Sequence, residues 1–167
     1  MREVRWQVSL DTQMVKIKKW YDIILIERVV TVDLLLNDLR MMGMDIPKWI
    51  TSKIFSRQRV IEWSALEMSW AHTGFELLPG SVLKMIDQTK IRPATISEFL
   101  LFLKMHFGKC QGKMLICLEQ TLHKPPLVCV CIVKSDWRMG LICTKYNVLY
   151  NQYDKFVVVN EKQVGFL

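Results

Sequence analysis

The chain has 167 residues, 51% of them hydrophobic and 23% charged, with only 7 Gly and 5 Pro, which excludes a disordered tail, a collagen-like repeat and a flexible linker. Its net charge of +7 is uneven: residues 1–80 carry 11 basic and 10 acidic side chains, and Ser81 onward carries 12 basic and 6 acidic. An excess of that sign attracts nucleic acid, an acidic protein or a phosphorylated ligand without choosing among them, and it also serves to keep a greasy chain in solution.

Near the amino terminus Val4, Trp6, Val8 and Leu10 alternate with Arg5, Gln7 and Ser9, the period-2 pattern of a strand with one buried face. The same stretch lacks an unbroken apolar run and a small-residue cleavage site, so it does not read as a secretory signal. From Thr12 to Val30, Ile17, Tyr21, Ile24 and Arg28 follow helical spacing, while the β-branched density of Ile23 to Val32 also suits a strand; helix is the reading taken. The best candidate for a membrane span, Ile23 to Leu36, is too short against the required length of about 20 residues and is cut by Glu27, Arg28 and Asp33. No membrane partner is therefore expected, and the cytoplasm is the expected compartment. Thr31 is placed to cap a helix from Val32 to Arg40, with Asp33 in its first turn and Gly43 to end it.

Pro47 after Asp45 predicts a short helix over Ile46 to Phe55, and a longer one follows from Arg57 to His72. Val60, Ile61, Trp63, Ala65, Leu66, Met68 and Trp70 cover more than one face of that second helix, so it is expected to lie buried among other elements. Stripes of Met and Trp at helical spacing are usually core, whereas contiguous exposure of Met41, Met42, Met44 and Trp49 would mark a protein interface. Gly74, Pro79 and Gly80 mark a possible subdivision near 74–80, but halves of this size make poor cores, and one domain over 1–167 is expected.

Ser81 can cap a helix over Val82 to Gln88. Thr95-Ile96-Ser97-Glu98 has the form of a capping box, and Ile96, Phe99, Leu100, Leu103 and Phe107 make one apolar stripe that Gly108 would stop. After Gly112 the chain turns to short β-rich runs, Met114–Leu118, Leu127–Val133, Met139–Thr144 and Lys155–Asn160, separated by Lys124-Pro125-Pro126, Lys134-Ser135-Asp136 and Asn151–Asp154. The predicted fold is α+β: a helical amino-terminal two-thirds packed on a small antiparallel β-meander of three to four strands, which the strand at Val4 can join.

Five cysteines, an odd number, fit a compartment that keeps thiols free. Cys129 and Cys131 sit one residue apart in a strand and share a face, unlike the spacing of zinc ligands, and are read as packed side chains. Gly108-Lys109-Cys110-Gln111-Gly112-Lys113 fails as a phosphate loop: it is one residue short, Met114 stands where Ser or Thr is needed, and the order of elements is wrong. His72, His106 and His123 belong to no metal motif, and His72 reads as a helix-end residue. No metal or cofactor is predicted. Cys110, in a basic turn expected to lower its pKa, with His106 or His72, is the one thiol-imidazole pairing worth keeping, and a thiol-dependent enzyme is the third functional reading.

Trp137 and Arg138 fall in a predicted hairpin turn, and Tyr146, Tyr150 and Tyr153 in a polar segment, with Lys134, Lys145 and Lys155 on the flanks. Flat rings stack on bases and cations attract phosphate, but Trp, Tyr and Arg equally favour protein contacts. Tyr146 and Tyr150 read as folding back over the sheet edge, while Trp137 stands open between exposure and packing. The sequence thus points to an interaction module without catalysis that binds a protein through Trp137, Arg138, Lys134, Lys145, Tyr153 and Lys155. A basic nucleic-acid-binding protein is the alternative, distinguished by an affinity that falls steeply with salt.

Overall fold

The computed structural model describes residues 15–17, 21–24, 31–55, 65–73, 81, 83–84, 91–145 and 155–160. The predicted strand at Val4 lies outside them, as do Tyr146, Tyr150 and Tyr153. Between Val82 and Gln88 only Leu83 and Lys84 are described, and both are helical, as is Ser81.

Eight strands of one mixed sheet are described: β1 (Val15–Ile17), β2 (Tyr21–Ile24), β3 (Ala65–Thr73), β4 (Ile91–Pro93), β5 (Leu115–Gln120), β6 (Leu127–Val133), β7 (Met139–Lys145) and β8 (Lys155–Asn160). The path runs β1-β3-β8-β5-β6-β7, with β2 beside β1 along one edge of β3 and β4 beside β5 along one edge of β8. Every pair is antiparallel except β5 with β8. This overturns the helical amino-terminal two-thirds on a small meander, because the sheet draws strands from both sides of residues 74–80 and is the larger part of the fold.

Two predicted helices are strands where they are described. Val15–Ile17 and Tyr21–Ile24 both pair with β3, so the β-branched content of this region outweighs its helical spacing. Ala65–Thr73 is β3: Leu66, Met68 and Trp70 alternate with Glu67 and Ser69, a period of 2 hidden among good helix formers, and Met68 and Trp70 are buried. His72 therefore stands in a strand and not at a helix end. Over Ile46–Phe55 only Ser52–Ile54 forms a single 3-10 turn. The meander holds for β5, β6 and β7, but β8 leaves it to pair with β3 and β5.

The helices follow their caps. In α1 (Val32–Met41) Thr31 accepts a hydrogen bond from Leu34 N at 3.2 Å, and Gly43, at φ +98°, sits just past the end. The Asp33 carboxylate accepts from Ser52 N at 2.8 Å and Ser52 Oγ at 2.6 Å, which ties the first turn of α1 to the 3-10 turn. Helix α2 (Ile96–Met105) carries the full capping box between Thr95 and Glu98. It ends at His106, before Phe107, because a separate short helix, α3 (Phe107–Cys110), begins there; Gly108 lies inside α3 and is not the stop.

More than one stripe of α2 is buried, since Ser97, Glu98, Leu101 and Phe102 are enclosed along with Ile96, Phe99, Leu100 and Leu103. Burying a carboxylate costs free energy unless it is paired. Glu98 answers this by accepting from both terminal nitrogens of Arg92 at 2.7 Å and from Thr95 N at 2.8 Å. Burial pushes its carboxyl up, and these bonds more than offset the push, holding it below its ordinary 4.5. The free N-H of Ile96 is met by Glu119 of β5, which docks the start of α2 on the sheet.

One face of the sheet packs on α1 and α2, where Met68, Trp70, Cys117, Cys129, Cys131, Leu141 and Val157 join Leu35, Leu39, Phe99 and Phe102 in a single core. On the other face Ile116, Val128, Val130, Phe156 and Val158 are buried too. Strands buried on both faces lose polar alternation, which is why β6 and β8 read as continuous apolar runs.

Candidate functional site

The β6–β7 hairpin is joined by Ser135, Asp136 and Trp137. Trp137 N donates to the Lys134 carbonyl at 2.9 Å, and Lys134 N donates to the Arg138 carbonyl at 2.8 Å. This is a tight turn followed by one left-handed residue, a position at which glycine is the usual occupant. Here it is Trp137, at φ +65°, with 88% of its surface exposed. A left-handed backbone costs an L-residue roughly 1–2 kcal/mol, and for a bulky residue it is a genuine outlier. Among the described residues no core contact offsets that cost, because the indole stands in solvent.

The cations beside it are engaged. Lys134 Nζ forms an ion pair with Asp45, and Arg138 Nε donates to Asp136 Oδ2 at 2.6 Å. The carboxyl of Asp136 is lowered from its ordinary value by the bonds from the Arg138 side chain and backbone, and the same partner raises Arg138. Asp45 also grips β7 through its backbone: its N-H donates to the Met139 carbonyl and its carbonyl accepts from Leu141 N, both at 2.9 Å. Sequence reasoning missed Asp45, which has no local signal, and passed over Asp136 as a turn residue only.

Of the residues read from the sequence, the structure brings Lys134, Trp137 and Arg138 together. Lys145 is exposed at the opposite end of the hairpin, paired with Leu127, roughly 20 Å away along the strand. Lys155 is half-buried at the start of β8, three strands from β7, and Tyr153 lies outside the described residues. Met41, Met42 and Trp49 are exposed, but Met44 between them is buried, so that patch is not contiguous. Trp49 meets His123 edge to face at 5.9 Å.

Cys110 is a correction. It is fully buried, and burial pushes its thiol up to about 12, with nearby Lys113 lowering it only in part. The basic turn does not activate it, because Lys113 Nζ lies over the Trp70 ring at 5.0 Å and donates to the Lys109 carbonyl at 2.5 Å. Lys104 likewise pairs with Asp38 of α1 at 2.6 Å. Cys129 and Cys131 are buried as packed side chains. Among the described residues no three potential metal ligands lie close enough to hold an ion, and no helix is long and apolar enough to cross a membrane.

Compared with protein-family models, with curated proteins and with solved structures, the chain matches none.

Proposed function

We propose that this protein is an interaction module that binds another protein through Trp137 at the β6–β7 turn, without catalysis of its own. The observation that supports this reading is a bulky aromatic held in a left-handed conformation and almost wholly exposed, where glycine would fold more easily. A large ring with a polar N-H on a rigid turn is the residue type that anchors protein contacts.

The neighbouring charges favour a protein over a nucleic acid. Asp45, Lys134, Asp136 and Arg138 balance one another at the tip, so the cations nearest the indole already face carboxylates and not a phosphate backbone. Exposed pairs of this kind add little stability, but they orient side chains and exclude wrong partners.

Chemical cross-linking from cell extract, comparing the native chain with Trp137→Gly, tests the reading. A protein captured by the native chain and lost with the glycine variant, unchanged by nuclease and high salt, is the expected result. Identical capture by both chains removes Trp137 as the contact. Capture that collapses with nuclease and with rising salt makes the nucleic-acid reading the correct one.

A further inference from the structure

We propose that Cys129 and Cys143 form an oxidisable dithiol that hydrogen peroxide closes to a disulfide across the β6–β7 hairpin. The two residues are register partners on adjacent antiparallel strands, and their Sγ atoms lie 3.1 Å apart. Their rung has the favourable geometry. The backbone groups of Met139 and Leu141 point outward to Asp45, so by the alternation of an antiparallel ladder those of Cys143 point outward too. Cys143 and Cys129 are therefore a non-hydrogen-bonded pair, the kind in which side chains approach most closely and Cα atoms fall within the span a disulfide bridges.

Access and polarity set the order of events. Cys143 is half-buried, whereas Cys110, Cys117, Cys129 and Cys131 are all buried. The hydrogen bond the two thiols share holds Cys143 below its ordinary 9.0, while the same bond and burial push Cys129 well above it. Cys143, the more accessible of the two, is thus the sulfur that meets peroxide first, and Cys129 is the resolving thiol. The Cys143 sulfur attacks one peroxide oxygen, the O-O bond breaks, and hydroxide leaves a sulfenic acid on Cys143. Cys129 then attacks that sulfur, the S-O bond breaks, and its proton and the departing hydroxyl leave as water. Overall two thiols lose two electrons and two protons, and one peroxide becomes two waters. A dithiol reductant reverses the step by exchange. Cys117, the nearest competitor, is fully buried and its Sγ faces the Ala94 carbonyl at 3.7 Å.

The reduced full chain is exposed to hydrogen peroxide, quenched with catalase, alkylated in denaturant and digested without reductant for mass spectrometry. The expected product is a Cys129–Cys143 peptide pair lighter by two hydrogens, with the other three thiols alkylated, and it disappears on adding dithiothreitol. Full alkylation of both residues, or a cross-link between Cys117 and Cys129, overturns the proposal. In Cys129→Ser, a dimedone adduct on Cys143 is expected, and an adduct on another cysteine in its place overturns the order of attack. If that variant does not fold, the native-chain digest alone decides the question.

Discussion

The carboxylate of Asp45 accepts a hydrogen bond from Lys134 Nζ across the outer edge of β7, although the two residues are 89 apart in sequence. Between them lies Gly140: a Cβ there would sit 3.0 Å from Lys134 Cδ and 3.5 Å from the Asp45 carbonyl. The missing side chain at Gly140 is the channel along which the Lys134 stem reaches its partner.

Gly140→Ala is expected to destabilise the fold by no more than about 1 kcal/mol in urea denaturation, because the added methyl presses on the flexible stem of a half-exposed lysine that can give by a few tenths of an ångström. In a Lys134→Ala background the same substitution should cost markedly less, because the stem it presses on is gone. Equal costs in both backgrounds would show that the stem is not the obstruction. Asp45→Asn, which removes only a half-exposed ion pair, is expected to cost less than about 1 kcal/mol.

At Trp137 stability and function should separate. Glycine relieves a left-handed cost of roughly 1–2 kcal/mol but adds backbone entropy of roughly 0.5–1 kcal/mol to the unfolded chain, so Trp137→Gly is expected to leave stability equal or raise it slightly. Trp137→Ala keeps the strained backbone and gains nothing. A denaturation midpoint that falls clearly in the glycine variant would mean that the indole supports the fold, and would remove the argument for its role in binding.

Glu98 is expected to make the fold sensitive to acid. Its carboxyl titrates below its ordinary 4.5 in the folded chain, so its contribution is complete above that value and disappears as pH falls through the folded-state value. Glu98→Gln removes the charge that faces the partly exposed Arg92 but keeps one oxygen acceptor, and is expected to cost about 1–3 kcal/mol at neutral pH. Melting temperatures measured from neutral to acid pH should fall less steeply for the glutamine variant than for the native chain. Parallel profiles would assign the acid sensitivity to other carboxylates.

Thiol labelling of the native protein should find Cys143 first. Cys110, pushed up to about 12 by burial, is expected to react with an aromatic disulfide reagent only as fast as the chain unfolds. Reaction of Cys110 at the rate of an exposed thiol in folded protein would reinstate the thiol-enzyme reading.

What could be read from the sequence was local. Thr31 with Gly43, and Thr95 with Glu98, mark their helices because capping is written within one turn of chain. The β6–β7 hairpin was legible from the turn residues between two apolar runs, and with it the position of Trp137. Ala65–Thr73 was misread because Ala, Leu, Glu and Met favour helix, while the competing signal, the alternation through Leu66, Met68 and Trp70, is short. Pairings between distant segments leave no local mark. Nothing near Lys134 announces Asp45, and nothing in Lys155–Asn160 distinguishes the end of a meander from a strand inserted between β3 and β5.

That last insertion has a consequence during synthesis. Because β8 is the last described strand and yet lies inside the sheet, β3 and β5 wait, each with one edge open, until residue 160 has left the ribosome. Strips of sheet formed before then, β1 to β3 and β5 to β7, would keep hydrogen-bonding edges exposed, the condition from which aggregation starts and which chaperones exist to limit. Pausing or premature termination between β7 and β8 would leave the chain there, and the yield of native protein should depend on chaperone supply more than its size suggests.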